Sequence, residues 1–248
     1  MASFGKYIYC FIKEKEKVSF GNSKLGNLNA PVCTIPYKEI SAVVSDVPII
    51  EYDPTRKNIL AYEEIIVKVM KEYTILPVAF GTVANNKKDV ENIISNNYNE
   101  FHEHLEFFKD KMEVGLTIKW NDDYFNDDIE TEEIKKLKKI VEGKDENKVL
   151  NEKIQLGRLV QESIFSKRKE YNNSIYEPLK KLSVNSNIKD KLPIKTVLIS
   201  YFLINKSMED DFDKKVEALA DQYKDKLLFN YTGPWPPYNF VDISINMS

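Results

Sequence analysis

The sequence predicts an α+β fold in two domains, and three observations carry that prediction. Short apolar strands alternate with amphipathic helices in both halves, a stretch of mixed charge from Asn121 to Lys148 separates the halves, and the first half spaces its strands and helices like a split β-α-β unit. The N-terminal domain, residues 1–121, is expected to be ferredoxin-like, with two helices packed on one face of a mostly antiparallel sheet. The C-terminal domain, residues 122–248, is expected to join a helical segment to an antiparallel sheet.

Each element has its own reason. Tyr7 to Ile12 are continuously apolar, as a strand covered on both faces requires, so Phe4–Ile12 reads as a central strand. A loop rich in Gly, Asn and Ser, Gly21 to Pro31, leads to a second strand, Glu39 to Val47. Asp53 reads as an N-cap with Pro54 in the first helical position, where a missing N–H costs nothing. Ile59, Tyr62, Ile66, Val69 and Tyr73 then share one helical face. Leu76 to Gly81 is a short strand. A second helix carries Val90, Ile94, Tyr98, Phe101, Leu105 and Phe108 on its buried stripe, and Met112–Trp120 closes the unit as a strand.

Asn121 to Lys148, acidic and then basic, reads as a solvated linker and the domain boundary. Beyond it, Leu150, Ile154, Gly157, Val160 and Ile164 recur at helical spacing, with Gly157 a place where another backbone can come close. A break is expected near Asn172 to Leu179, where Ser174 and Glu177 form a capping box and Pro178 follows. Lys195–Ile204 is the most apolar strand of this half. Ser207 opens a last helix with Phe212, Val216, Leu219 and Tyr223 on one face, and the strands "LLFNY" and "YNFVDISI" finish the chain.

Composition excludes several function classes. With 36 Lys plus Arg against 39 Asp plus Glu, the net charge of -3 gives no field that would gather nucleic acid or an anionic membrane. The start lacks the basic region and cleavage site of a secretory signal, and no apolar run reaches the roughly 18 residues of a membrane span, so a cytoplasmic protein is expected. Cys10 and Cys33 have neither metal-ligand nor redox spacing and read as reduced apolar side chains. His102 and His104 point about 200° apart on a helix and cannot share a metal. Asp122, Asp123, Asp127 and Asp128 lack the alternating ligands and central Gly of a calcium loop. Phosphate-binding glycine loops and a nucleophile elbow are missing from the sequence, no local cluster assembles a nucleophile with its base, and Tyr7, Tyr9 and Phe11 come without an RNA-binding signature. No cofactor, no metal and no catalytic residue is therefore expected.

The segment "YTGPWPPYNF", Tyr231 to Phe240, holds three prolines and four aromatic residues. Each proline fixes φ near −65° and removes a donor, so Gly233–Pro237 is expected to run extended outside a sheet, as a stiff corner with Trp235 at its apex. Trp235 then either folds back to cap the core or presents a stiff aromatic surface to a partner.

"YTGPWPPYNFV" together with "LPVAFGTV", Leu76 to Val83, resembles the gas vesicle protein family GvpF/GvpL, and the "YIYCFI" and "MEVGLTIKW" strands stand in the family's order. Ala79 departs from the family, which often places an arginine there. The resemblance implies a non-enzymatic accessory protein for forming gas vesicles, the hollow protein shells that give some prokaryotic cells buoyancy. It implies two α+β domains, binding to the major gas vesicle shell protein, contact with other gas vesicle accessory proteins, and a place in shell nucleation or assembly or as a minor shell component. The residues it marks for partner contact are Leu76, Pro77, Phe80, Gly81, Gly233, Pro234, Trp235, Pro236, Pro237 and Tyr238. A different class of function, a small-molecule enzyme or sensor with a cleft between two domains, would need a deep polar pocket with perturbed carboxylates.

Overall fold

The computed structural model describes residues 3–144 and 148–241. The chain mixes helices with antiparallel sheet and divides by its internal packing into two units. The first runs to Glu113 and takes up the chain again from Pro234, and the second is Val114–Gly233. The passage between them lies inside two strands rather than in the charged stretch after Asn121, where the sequence put the boundary between 1–121 and 122–248.

In the first unit, β1 (Phe4–Lys13), β2 (Ser19–Ser23), β3 (Ala30–Tyr37) and β4 (Ile40–Pro48) precede α1 (Arg56–Met70), and β5 (Ile75–Pro77), β6 (Val83–Ala84), α2 (Lys87–Asn96) and α3 (Tyr98–Phe108) follow. The sheet order is β2-β3-β4-β1-β5, with β6 also on β1. Every pairing reported in this sheet is antiparallel. This is not the ferredoxin-like order expected here, because four strands come before the first helix. β2 and β3 escaped notice because "SFGNS" is small and polar and Pro31 and Pro36 interrupt β3, both of which mask a strand pattern.

The helices also lie on both faces of the sheet, not one. Between Ile8 and Cys10 the pairing of β1 with β4 slips by one residue, a bulge that turns Tyr7, Tyr9, Cys10 and Ile12 to the same side. There they pack with Tyr62, Ile65, Ile66 and Val69 of α1, while Phe11 faces away and meets Phe101 of α3 at 4.4 Å between ring centres. Thr55, not Asp53, caps α1, accepting from Asn58 N at 3.3 Å. The helix expected from Val90 to Phe108 is two helices, divided at Asn97, whose Nδ2 donates to Ile93 O at 2.8 Å.

The second unit carries the connectivity that the sequence reading assigned to the first. It is built on β7 (Lys111–Trp120), α4 (Asp122–Ile129), α5 (Glu132–Val141), α6 (Leu150–Tyr171), α7 (Glu177–Lys180), β8 (Asn185–Ile188), β9 (Thr196–Asn205), α8 (Glu209–Tyr223) and β10 (Leu227–Trp235). The sheet order β10-β7-β9-β8 places the first strand between the last and the third, the split β-α-β-β-α-β arrangement. β7 is the strand that the sequence predicts, but it belongs to this sheet and not to that of the first unit.

The supposed linker is α4 and α5. Asn121 and Thr131 accept from the backbone N–H groups of Asp123 and Ile134, acidic residues fill both first turns, and Lys138 and Lys139 close α5, an order that suits the helix dipole. Phe125, Ile129 and Ile134 are buried beneath the charges. At the end of α6 no new helix is capped; Asn172–Tyr176 is a π-helical turn leading into α7, and Ser174 Oγ donates back to Glu170 O. Leu150 and Ile154, expected on a buried stripe, are 57% and 63% exposed, and a Cβ on Gly157 would meet nothing within 4 Å. Asp128, read as solvated, accepts from Trp120 Nε1 at 2.8 Å and Tyr171 OH at 2.7 Å, with Lys167 at 3.3 Å.

β10 overturns the expected corner. Gly233, Pro234 and Trp235 belong to the strand, which lies at the edge of its sheet, where a proline's missing N–H breaks no ladder. The turn comes later: Tyr238 N donates to Pro236 O, and Phe240 N and Val241 N donate to Pro237 O. Tyr238 to Val241 is therefore not strand, and the rest of the expected terminal strand, Asp242 to Ile245, lies outside the described residues.

Candidate functional site

β1 gives one edge to β4 and divides the other between two short strands. Cys10, Phe11 and Ile12 pair with Pro77, Leu76 and Ile75, while Lys6 and Tyr7 pair with Ala84 and Val83. Pro77 has no N–H to offer, and one further bond to β1 follows it, from Val78 N to Tyr9 O at 3.4 Å. The chain then arches away from the sheet through Val78–Thr82 and returns where Ile8 N donates to Thr82 O at 2.9 Å. Gly81 sits at φ +87°, a conformation that disfavours a side chain, and its N–H donates to Tyr7 OH at 2.8 Å. Tyr62 OH donates to Val78 O at 2.8 Å, and the Phe80 ring turns inward, edge-on to Tyr62 at 5.7 Å.

Beneath this arch lies a cavity of about 490 Å³, within the range of roughly 300–1,000 Å³ usual for binding recesses. It is lined by Phe11, Tyr62 and Phe101, by Leu76–Phe80 and Thr82, and by Tyr238 and Val241. The last two arrive from the end of the described chain, after the buried Pro236 and Pro237. That terminal piece is fastened by Glu113, a buried residue of β7, which accepts from Asn239 N at 2.8 Å through Oε2 and from Asn239 Nδ2 at 2.6 Å through Oε1.

The cavity's polar groups are chiefly phenols. Burial pushes Tyr62 up, and it pushes Tyr238 up to about 12. Both stay protonated at neutral pH and supply hydroxyls rather than a base or nucleophile. Burial likewise holds the Glu113 carboxyl above its usual range, opposed by the two bonds from Asn239. Among the described residues no group of three or more His, Cys, Asp or Glu is placed to hold a metal ion, and no helix is long and apolar enough to cross a membrane. The recess is suited to receiving apolar surface, with hydroxyls able to orient a polar neighbour.

Of the residues marked from sequence, Leu76, Pro77, Phe80 and Tyr238 meet around this one cavity. Gly81 fixes the arch. Gly233 and Pro234 are exposed on β10 and Trp235 is half-buried at its end, so these three stand outside the cavity lining. Phe11, Tyr62 and Phe101 were read only as core. Glu113 and Asn239 were missed, although a carboxylate inside the apolar run "MEVGLTI" was a signal, since a buried charge needs a partner.

The fold and the recess define a mixed α-helix and antiparallel-sheet protein that offers apolar surface and phenolic hydroxyls. The family model for "Gas vesicle synthesis protein GvpL/GvpF" matches residues 5–242, and the chain belongs to that family. It is 25% identical over 217 residues to gas vesicle protein F1 of Halobacterium salinarum, covering 86% of this chain and 83% of the relative. With gas vesicle protein F of Haloferax mediterranei it shares 25% over 218 residues, with the same coverage of 86% and 83%. The crystal structure of GvpF from an Anabaena species has the same fold, at a TM-score of 0.80 and 21% identity over 98% of this chain and all of the other. That of GvpF from Microcystis aeruginosa gives 0.79 at 20% identity over 96% and 99%.

Proposed function

We propose that this chain binds the major gas vesicle shell protein through the cavity beneath the Val78–Thr82 arch, and in doing so supports nucleation or assembly of the shell. The observation that carries the reading is convergence: two segments far apart in sequence, each resembling the family, line one apolar recess. Apolar surface on an unassembled subunit is prone to aggregate, and a partner that covers it keeps the subunit available. Other gas vesicle accessory proteins are secondary partners, and the gas vesicle is the place of action.

The test is co-purification of the shell protein with the full chain and with Phe80→Ala and Tyr238→Ala. Capture by the parent chain and loss in both variants, with both variants still folded by circular dichroism at the assay temperature, is the expected result. No capture under conditions that keep both proteins soluble would overturn the proposal.

A further inference from the structure

Glu113 is an expensive choice for its position. It is 2% exposed, and a carboxylate taken out of water must be compensated by hydrogen bonds. Both of its oxygens are given to a single residue, Asn239, one through the backbone and one through the side chain. Asn239 follows Tyr238 directly and stands two residues before Val241, so the bonded residue lies between two that wall the cavity. The remaining amides of this stretch are satisfied within it: Tyr238 N by Pro236 O, and Phe240 N and Val241 N by Pro237 O. The piece is thus a self-contained turn, stiffened by Pro236 and Pro237, and preceded by Gly233 at φ +133°, which can absorb a change of direction at little steric cost.

We propose that Glu113 and Asn239 form a clasp that holds Pro236–Val241 as a strap along the cavity, and that release of this clasp governs how far the recess opens to a partner's apolar side chains. This rests on the cavity being the binding site. Release of Asn239 breaks two hydrogen bonds and leaves the turn's own backbone bonds intact, so the Tyr238–Val241 end of the strap can move as a unit about the buried Pro236 and Pro237. A uniformly apolar wall would open only by unpacking residue by residue. The carboxyl group accepts both bonds while the clasp is closed and can be hydrated when it opens, which an apolar contact cannot.

Amide hydrogen exchange of the full chain, followed by residue, reads the strap without any shell protein, so its result does not depend on whether the shell protein binds. Glu113→Ala and Asn239→Ala are each expected to speed exchange at Phe240 and Val241 at least about tenfold while β1 and β4 keep their protection, the mark of local rather than global opening. Both should also increase the fluorescence of anilinonaphthalene sulfonate. Glu113→Gln, whose amide can bond Asn239 once that side chain turns over, should exchange like the parent. Unchanged exchange at Phe240 and Val241 in both alanine variants would overturn the proposal, and so would loss of protection throughout β1 and β4, which would make Glu113 a support of the whole unit.

Discussion

Replacing Asp128 by alanine removes the acceptor shared by two aromatic donors in the second unit. The side chain of Asp128 is only 4% exposed, and its Oδ2 takes both the Trp120 indole N–H and the Tyr171 hydroxyl. A buried donor left without a partner costs about 1–3 kcal/mol, so the two together cost about 2–5 kcal/mol once some water is admitted. For a chain of this length each kcal/mol lowers Tm by roughly 2–4 °C, which puts the fall at about 4–20 °C. Asp128→Asn is the discriminating control. Because both donors converge on Oδ2, an asparagine can present its single carbonyl oxygen there and lose only charge assistance and the attraction of Lys167, about 1 kcal/mol. Urea and thermal unfolding followed by circular dichroism measure both variants. An alanine variant within about 0.5 kcal/mol of the parent, or an asparagine variant as damaged as the alanine one, would refute the reasoning.

Three further outcomes are expected. Gly5→Ala should cost about 2 kcal/mol or more by denaturation, since a Cβ there would stand 2.4 Å from Ala84 O and 2.8 Å from Ile49 Cγ1, and a backbone carbonyl in a ladder cannot withdraw. Thr55→Ala should lower stability by about 1 kcal/mol through loss of the α1 cap, with Thr55→Ser close to the parent. Glu113 has its carboxyl held above the unfolded value, so its contribution is fully present below that value and is lost as pH rises through the folded one; urea midpoints of the parent should fall relative to Glu113→Gln as pH rises from about 4 to 7.

What the sequence exposes is periodicity, and what it hides is partnership. β1 was readable because six successive residues are apolar, and α1 because its apolar positions repeat at helical spacing. The membership of β7 was not, since nothing in "MEVGLTIKW" says which strands will flank it. α4 and α5 were hidden by their charges, although Phe125, Ile129 and Ile134 kept the spacing of a buried face. Of the residues marked by the two family segments as partner-contact candidates, Leu76, Pro77, Phe80 and Tyr238 line the cavity. Tyr62 and Phe101 could not be named, because from sequence they look like any core residue, and only the fold shows that they also line the cavity. The prolines misled in one respect: they do stiffen the terminal segment, but an edge strand tolerates Pro234, and the corner falls after Trp235 rather than around it.

The passage of the chain out of the first unit within β7 and back within β10 has a consequence for synthesis. A ribosome completes Glu113 long before it reaches Asn239, so throughout translation of the second unit the carboxyl group lacks the residue it bonds and the cavity lacks Tyr238 and Val241 from its lining. The first unit is therefore completed only after the second has been synthesised, and its last pieces arrive late in translation.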